Sequence, residues 1–261
     1  MSQNAGPMSD PQIVFITGAT SGIGAACARL FASKGARIVA CGRRKDRLDT
    51  LARQLGEDNV HTVLFDVRDR EACSRAFTAL PERFAAVDVL LNGAGLAAGL
   101  AKAQDARLDD WEATIDTNVN GLVYVTRAAL PGMIARARGH IVNMGSIAGS
   151  FPYPGGNVYG ASKAFVERFS ANLRADLLGH PIRVTNIEPG MVDTEFSTVR
   201  FGGDKSKADA VYAGMTPLVA ADIADLVYFA TTRPLHVDVT RIEVMPVAQA
   251  FSPFAVSRKG S

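Results

Sequence analysis

The sequence predicts an α/β fold in which a doubly wound parallel sheet of about seven strands carries helices on both faces. Short apolar or β-branched runs alternate with helix-length segments along the chain of 261 residues. Strands separated in this way form right-handed βαβ units, which build a parallel sheet. The runs are also almost wholly apolar, as is typical of strands that are covered on both faces.

The strand candidates are short and rich in apolar or β-branched residues, and they lie at residues 12–17, 36–41, 60–65, 87–91, 139–144, 181–187 and 239–244. The helix candidates lie between them, at residues 23–34, 45–55, 69–79, 109–136, 158–179 and 220–231. No linker, composition shift or internal repeat divides the chain. We therefore expect a single domain over residues 12–250, with a loose N-terminal tail at 1–11 and a C-terminal tail at 251–261.

One segment breaks the alternation of strands and helices. Residues 190–216 are polar, contain Gly202 and Gly203, and show no clear strand. A long insertion after a late strand of an open sheet is typical of a functional loop. We expect this segment to be a lid over a substrate.

The charge and cysteine content exclude several classes of protein. The chain has 28 Lys and Arg against 26 Asp and Glu, a net charge of +2, whereas proteins that coat nucleic acid or an anionic membrane need a large basic surface. Its three cysteines lie far apart and its four histidines are scattered, so neither a metal site nor a disulfide framework is expected. We find no signal peptide pattern and no apolar run of roughly 18 residues. We expect a cytoplasmic protein with no nucleic-acid or membrane partner.

A glycine-rich loop connects the first strand to the first helix, with the sequence Thr17-Gly18-Ala19-Thr20-Ser21-Gly22-Ile23-Gly24. Gly18 permits a tight turn, and Gly22 and Gly24 let backbone N–H groups and the helix N-terminus approach a pyrophosphate. The spacing GxxxGxG differs from the commoner GxGxxG, and an ordinary turn is the alternative. The position between a strand and a helix favours a dinucleotide-binding loop.

Basic residues follow the second strand, where a site that prefers NAD usually carries an acid. This chain has Gly42 there, followed by Arg43, Arg44 and Lys45. A guanidinium binds a 2′-phosphate through bidentate, charge-assisted hydrogen bonds, and basic residues do not stabilise a helix N-terminus. The pattern predicts NADP(H) as the cofactor, with Arg43 favoured over Arg44 as its ligand. A solvated helix start is the alternative.

Asp66 follows the third strand and precedes Val67. This position is suited to contact with the adenine edge of a nucleotide. An N-cap for the helix at 69–79 is an equal alternative, because Asp is a favoured capping residue.

Tyr159 and Lys163 lie four residues apart at the start of a helix candidate, which puts both side chains on one helix face. A phenol with a pKa of about 10 is a poor acid or base at neutral pH, and a neighbouring ammonium lowers that pKa. Ser146 follows the fifth strand, and Asn118 lies in the helix after the fourth. The carboxyl ends of parallel strands form the ligand-binding edge of such a sheet, so we expect these four side chains to meet there.

Together these motifs resemble the short-chain dehydrogenase/reductase family, which has a Rossmann-type fold, over residues 12–250. The motifs are TGATSGIG, NGAG at 92–95, Asn118, Ser146, YxxxK at 159–163 and PG at 189–190. The family usually shows NNAG where this chain has Gly93, which removes an amide that normally braces the strand. The resemblance implies an oxidoreductase in which the cofactor supplies the hydride chemistry.

The resemblance also implies a role for each of four polar residues. Tyr159 would be the general acid/base that protonates the carbonyl oxygen in reduction, and Lys163 would bind the nicotinamide ribose and lower the pKa of Tyr159. Ser146 would hold the substrate oxygen, and Asn118 would support a water that relays protons to Lys163. Ser146 as a plain strand end and Asn118 as a helix-interior polar residue are the alternatives.

The implied cofactor contacts extend along the same edge of the sheet. They are Gly18, Thr20, Ser21, Gly22, Ile23, Arg43, Arg44, Asp66, Val67, Asn92, Tyr159, Lys163, Pro189, Gly190, Val192 and Thr194. Thr194 would meet the nicotinamide carboxamide, and the alternative is a cap for the short helix that follows it.

Residues 149–159 and 194–204, with the ending at 244–249, resemble the subgroup of NADP-dependent 3-hydroxy acid dehydrogenases, which includes serine and allo-threonine dehydrogenases. The resemblance implies a small anionic 3-hydroxy acid as substrate, of the serine or 3-hydroxypropionate type, together with its semialdehyde or keto form. The implied substrate contacts are Ser146, Tyr153, Tyr159 and Arg200.

Arg200 lies between Val199 and Phe201 in the expected lid. A lone guanidinium among apolar neighbours binds a carboxylate bidentately. A surface arginine whose charged end reaches the solvent is the alternative.

Other functions and the assembly stay open at the level of sequence. A sulfonate resembles a carboxylate in charge, and residues 249–256 look like the corresponding part of sulfoacetaldehyde reductases, which form isethionate. A broad carbonyl reductase with a neutral substrate is a further alternative, whereas a catalytically dead sensor is disfavoured because all four polar residues are present. The family is usually tetrameric, so we expect a homotetramer in which the C-terminal tail at 251–261 lies at a subunit interface.

Overall fold

A computed structural model describes residues 12–251 of the chain. The N-terminal tail expected at 1–11 lies outside the described residues. The C-terminal tail expected at 251–261 also lies outside them except for its first residue, Phe251.

The core of the fold is a seven-stranded parallel sheet with the strand order β3-β2-β1-β4-β5-β6-β9. Its strands are β1 Ile13–Thr17, β2 Arg37–Gly42, β3 Val60–Leu64, β4 Val89–Asn92, β5 Gly139–Met144, β6 Ile182–Pro189 and β9 Arg241–Val244. Two short strands, β7 Val192–Asp193 and β8 Leu218–Val219, form a separate parallel pair. The predicted fold class is confirmed, and the strand order reverses between β1 and β4, which opens a crevice at the carboxyl ends of these strands.

The helices cover both faces of the sheet, and their bounds are α1 Gly22–Ser33, α2 Lys45–Leu55, α3 Arg70–Thr78, α4 Glu82–Ala85, α5 Leu108–Ile115, α6 Leu122–Ala135, α7 Asn157–Asp176, α8 Glu195–Arg200, α9 Lys205–Ala210 and α10 Ala220–Thr231. Val14 and Ile16 of β1 pack in the layer that contains α1 and α10. Ile13 and Phe15 pack in the layer that contains α3 and α6. Each of these buried side chains stabilises the fold by roughly 1.5–3 kcal/mol, which explains why the strand sequences are apolar throughout.

The helix predicted over residues 109–136 is present, but its middle part is π-helical. The chain makes α5, then a π-helical turn from Asp116 to Gly121, then α6. The residues of the turn are weak helix formers, and the side chain of Asn120 donates a hydrogen bond to Asp116 within it. A Cβ at Gly121 would lie 2.7 Å from Cγ2 of Val67, so the turn packs closely against the loop after β3.

The segment 190–216 has more regular structure than its sequence predicts. It contains β7, which contradicts the expectation of no strand, and the short helices α8 and α9. The side chains of Thr194 and Asp204 cap these two helices by accepting hydrogen bonds from Phe196 N–H and Lys207 N–H. The polar residues of the segment therefore serve partly as helix caps.

The described residues offer neither a membrane-spanning helix nor a cluster of metal ligands. None of the helices in the part of the chain that the structure describes is long and apolar enough for a bilayer. Within residues 12–251, no group of three or more His, Cys, Asp or Glu side chains is arranged to hold a metal ion.

Candidate active site

A cavity with a volume of about 680 Å³ lies at the carboxyl ends of the strands. Its walls come from the glycine loop, from the ends of β2 to β6, from the start of α7 and from α8. Most of the site residues predicted from the sequence line it: Gly18, Thr20, Ser21, Gly22, Ile23, Arg43, Arg44, Asp66, Val67, Ser146, Tyr153, Tyr159, Lys163, Pro189, Gly190, Val192, Thr194 and Arg200. Asn92 and Asn118 are buried beside the cavity.

The glycine loop has a geometry that only glycine permits at two of its positions. Gly18 has a φ of +71°, and a Cβ there would lie 2.9 Å from the backbone of Gly93 and Ala94. A Cβ at Gly24 would collide with the carbonyl of Gly18. Ser21 precedes α1 without a side-chain capping bond, so the first N–H groups of α1 are available to a phosphate.

Arg44 is the most highly connected of the basic residues that follow β2. Its guanidinium donates to the hydroxyls of Thr20 and Ser21, at 3.0 and 2.8 Å from Nη2. It also donates to Glu195 of α8 at 3.1 Å. The Arg43 side chain is 61% exposed, and among the described residues it pairs only with Asp66, at 3.5 Å. The structure thus holds Arg44 against the glycine loop, although the sequence favoured Arg43.

Asp66 faces the cavity and is held by Arg68, which the sequence reading missed. Its Oδ2 accepts from Nε and Nη2 of Arg68 at 3.0 and 2.7 Å. Burial alone would raise the pKa of Asp66, but the hydrogen bonds and charge of Arg68 and the charge of Arg43 bring it below its ordinary value. Asp69 caps α3 by accepting from Ala72 N–H, which removes the alternative that Asp66 is the cap.

Asn92 is buried beneath the cavity rather than lining it. Its side-chain amide donates to Thr126 and Asn143, both at 2.9 Å. The neighbouring loop is braced by Thr17, whose hydroxyl accepts from the N–H groups of Gly93 and Ala94, both at 3.1 Å. Thr17 therefore supports the loop at the position where the family usually has a second asparagine.

Asn118 lies in the π-helical turn and clamps the loop after β4. Its Nδ2 donates to the carbonyl of Leu96 at 2.8 Å and to Ser162 at 3.0 Å, and its Oδ1 accepts from Leu96 N–H at 2.9 Å. The side-chain amide is saturated by these bonds. This arrangement matches the alternative of a buried polar residue bonded to backbone, and it fixes the cavity wall at Leu96.

Tyr159 lies at the centre of the substrate end of the cavity. Burial raises the pKa of Tyr159 to about 12, while a hydrogen bond from Ser146 and the charge of Arg200 act in the opposite direction. The Ser146 hydroxyl also accepts from Ala148 N–H at 3.1 Å. The phenol is therefore protonated at neutral pH, because burial outweighs the opposing contributions. The lowering of this pKa by Lys163 stays a prediction.

Lys163 is buried at the bottom of the same cavity. Its Nζ donates to the carbonyl of Met144 at 2.8 Å and lies 5.7 Å from the centre of the Tyr159 ring. Burial lowers the pKa of Lys163 to about 8. Tyr159 and Lys163 both line the cavity, as the sequence predicts. Their hydrogen-bond partners differ, because Lys163 bonds to Met144 and Tyr159 bonds to Ser146.

Replacing Lys163 by Met should stabilise the protein at neutral pH. In the unfolded chain the ammonium keeps its ordinary pKa of 10.5, so between about pH 8 and 10.5 the unfolded state binds more protons and the native protein becomes more stable as pH rises. Below pH 8 the native protein carries the full cost of burying the Lys163 ammonium. Lys163→Met removes that cost and should raise the free energy of unfolding by about 1–3 kcal/mol. Urea unfolding at several pH values measures both effects.

The control is Lys34→Met, which replaces an exposed lysine. It should leave the pH dependence of unfolding unchanged. A Lys163→Met protein that keeps the wild-type rise in stability above pH 8 would contradict the assignment to Lys163.

Arg200 reaches the cavity from the end of α8. Its Nη2 donates to the hydroxyl of Tyr153 at 2.6 Å, and its Nε donates to the carbonyl of Gly99 at 3.3 Å. Its guanidinium carbon lies 5.4 Å from the centre of the Tyr153 ring and 5.5 Å from that of Tyr159. Arg200 is thus half-buried beside the phenol instead of extending to solvent, which removes the surface alternative.

Two residues of α8 and its cap complete this end of the site. The ring of Phe196, which the sequence reading missed, lies 5.6 Å from that of Tyr159. Its spacing of four residues from Arg200 could have indicated a shared helix face. Thr194 caps α8 and also lines the cavity opposite Gly22, where a Cβ would lie 3.4 Å from that of Thr194.

The cavity thus combines a glycine-rich loop at a helix start, the basic residues after β2 and a buried phenol beside a guanidinium. The family profile described as short chain dehydrogenase matches residues 12–203. An NADP-dependent 3-hydroxy acid dehydrogenase, YdfG of Salmonella typhi, is 53% identical over 247 residues, 94% of this chain and 99% of the relative. Sulfoacetaldehyde reductase 2 of Chromohalobacter salexigens is 53% identical over 253 residues, 96% of this chain and 100% of the relative.

A solved structure is also similar to this chain. The closed form of serine dehydrogenase complexed with NADP⁺ matches this chain with a TM-score of 0.91 and 49% identity. The match covers 95% of this chain and 100% of the other.

Proposed function

The chain belongs to the short-chain dehydrogenase family, and from this premise we propose that it is an NADP(H)-dependent oxidoreductase that interconverts a small anionic 3-hydroxy acid and its semialdehyde or keto form. The observation that carries the proposal is the position of Arg200. Its guanidinium lies 5.5 Å from the ring of Tyr159, and its hydrogen-bond partners, Tyr153 and Gly99, carry no charge. It is therefore available to bind a substrate acid beside the reacting group.

The residues of the cavity fit NADP(H). The glycine loop leads directly into α1, and Ser21 makes no side-chain capping bond there, so the first N–H groups of α1 would bind a pyrophosphate. Arg44, with the hydroxyls of Thr20 and Ser21, would hold the 2′-phosphate. When bound, the cofactor supplies or accepts the hydride.

Tyr159 would act as the general acid in reduction. Its phenol is protonated at neutral pH, and it would donate that proton to the carbonyl oxygen as negative charge develops there. Ser146 would orient the same oxygen by a hydrogen bond. The phenolate that remains would be stabilised by Ser146, by the Arg200 guanidinium and by the ammonium form of Lys163. Oxidation uses the same groups in reverse, with the phenolate as base.

Sulfoacetaldehyde reduction to isethionate is the second candidate. A relative with this name is as similar to the chain as the 3-hydroxy acid dehydrogenase, at 53% identity in both cases. A guanidinium binds sulfonate oxygens as well as carboxylate oxygens, so Arg200 serves either substrate.

A panel of three substrates with NADPH tests the proposal: malonic semialdehyde, sulfoacetaldehyde and a small neutral ketone. We expect the largest kcat/KM for malonic semialdehyde. A larger value for sulfoacetaldehyde would favour the second candidate. A neutral ketone that is reduced as efficiently as both acids would contradict the proposal that the substrate is anionic.

Replacing Arg44 by Ala should remove most of the preference for NADPH over NADH. A hydrogen-bonded guanidinium–phosphate pair contributes roughly 1.5–3 kcal/mol, so kcat/KM for NADPH should fall about 10–100-fold while that for NADH changes little. Arg43→Ala should have a smaller effect, because Arg43 is more exposed. Steady-state kinetics with both cofactors measures this.

Arg53→Ala is the control, since Arg53 is an exposed arginine of α2 that bonds only to Asp49 and Thr50 of its own helix. It should keep the wild-type preference. An equal loss with NADPH and NADH in Arg44→Ala would argue against a role in 2′-phosphate recognition.

Assembly and location complete the proposal. The chain would form a single domain over residues 12–250 with a lid at 190–216, and four copies would associate in the cytoplasm. Exposed apolar side chains of α5 and α7, such as Leu108, Ile115 and Phe165, support an association between copies. The three cysteines are free and buried, which is compatible with a reducing compartment. Light scattering that gave the mass of a monomer would contradict the tetramer.

A further inference from the structure

The short helix α8 joins the two ends of the cavity. Its first residue, Glu195, faces the basic residues after β2, and its last residue, Arg200, faces Tyr159. Any displacement of α8 therefore moves the side chain that we propose for substrate binding.

Glu195 forms a network with two arginines that lie about 150 positions earlier in the chain. Its two carboxylate oxygens accept from Nη1 of Arg47 at 2.6 and 2.7 Å, and one of them also accepts from Nη1 of Arg44 at 3.1 Å. Arg44 in turn binds Thr20 and Ser21 of the glycine loop. Burial would raise the pKa of Glu195, but the two arginines bring it below its ordinary value.

The arrangement is more than an isolated surface ion pair, which contributes little to stability. One carboxylate bridges two guanidiniums, and it lies in the first turn of α8, where a negative charge is favourable. Arg47 holds both oxygens of Glu195, so this contact persists when a 2′-phosphate engages Arg44. The bridge ties α8 to the edge of the sheet that carries the cofactor residues.

We propose that Glu195 is a positioning residue that holds α8, and with it Arg200, against the cofactor-binding edge through Arg47 and Arg44. Substrate-acid binding at one end of α8 is thereby coupled to cofactor recognition at the other. The coupling rests on the proposed function, whereas the attachment of α8 does not.

The test uses two single variants, Glu195→Gln and Arg47→Gln, and the double variant. The first readout is limited trypsin digestion of the protein without added cofactor, because Arg200, Lys205 and Lys207 lie in α8 and α9. Both single variants should be cleaved in this segment at least about fivefold faster than wild type. Since both variants remove the contact between Glu195 and Arg47, the double variant should be no faster than Glu195→Gln alone.

The second readout is kinetic. Both variants should raise KM for malonic semialdehyde about five- to tenfold, with kcat within twofold of wild type and KM for a neutral ketone unchanged. Glu71→Gln is the matched control, because it breaks an exposed ion pair with Arg75 on α3, and it should change neither readout.

The outcomes separate the two proposals. Cleavage of the segment at the wild-type rate in both single variants would overturn the role of Glu195. Fast cleavage in Glu195→Gln alone would overturn the attachment of α8 through Arg47, which the proposal requires. A wild-type protein that does not reduce malonic semialdehyde or sulfoacetaldehyde would overturn the proposed function, while the digestion still reports on the attachment of α8.

Discussion

Tyr159→Phe should lower kcat about 10²–10⁴-fold, the range that a positioned general acid contributes. The substitution removes the only proton of the side chain that a carbonyl oxygen could take, and it leaves the ring that packs at 5.6 Å from Phe196. The two side chains have nearly the same shape, so the substitution should change the free energy of unfolding by less than about 1.5 kcal/mol. The loss should therefore appear in kcat and not in cofactor binding.

The measurement is the steady-state rate with NADPH and malonic semialdehyde, together with NADPH fluorescence to determine its dissociation constant. Tyr228→Phe is the control, since Tyr228 lies on α10 and packs edge-on against Phe31, far from the chemistry. It should retain the wild-type rate. A Tyr159→Phe enzyme within tenfold of wild type would show that another group delivers the proton.

Arg200→Ala should lower kcat/KM for anionic substrates about 10–100-fold, because a charged hydrogen-bonded partner contributes roughly 1.5–3 kcal/mol. The loss for a small neutral ketone should be much smaller, because with that substrate Arg200 acts only through its minor contribution to the Tyr159 pKa. Arg200→Lys should give an intermediate loss, since it retains the positive charge but not the planar fork that binds two oxygens. Comparing kcat/KM for malonic semialdehyde, sulfoacetaldehyde and the ketone measures this.

A matched control exists for the loss of an arginine that stacks on an aromatic ring. Arg233 lies over the ring of Phe229, with the guanidinium carbon 4.4 Å from the ring centre, on the exposed end of α10. Arg233→Ala should leave all three substrates unaffected. An equal loss for acidic and neutral substrates in Arg200→Ala would contradict the role of Arg200 as the ligand of the acid group.

The strands and most helices could be predicted because their determinants are local. A strand covered on both faces is apolar throughout, and β5 begins and ends at the predicted residues. Of the two short helices, α8 is indicated by the sequence only in the alternative that makes Thr194 a cap, and α9 is not predicted. They depend on caps at Thr194 and Asp204 and, for α8, on arginines that lie far away in the sequence.

The identity of most site residues could be predicted, but not their individual environments. Arg43 and Arg44 are adjacent, and only the fold shows that Arg44 turns toward Thr20 and Ser21. The direction of the Tyr159 pKa shift also depends on the fold, because the phenol is buried by residues from separate segments. The spacing of Tyr159 and Lys163 gives their common face but cannot give the extent of that burial.

The π-helical turn between α5 and α6 lets the chain carry one more residue than a regular helix would need at this place. A π-helix turns by a smaller angle per residue than an α-helix, so the 6 residues Asp116–Gly121 span nearly the same rotation as about five α-helical residues. The extra residue therefore leaves the orientation of α6 unchanged, and Val125, Ala129 and Met133 still face the core. Deleting one residue of the turn would keep those core contacts but would move Asn118, whose two bonds hold Leu96. A change of length at this turn should therefore damage the cavity wall more than the fold.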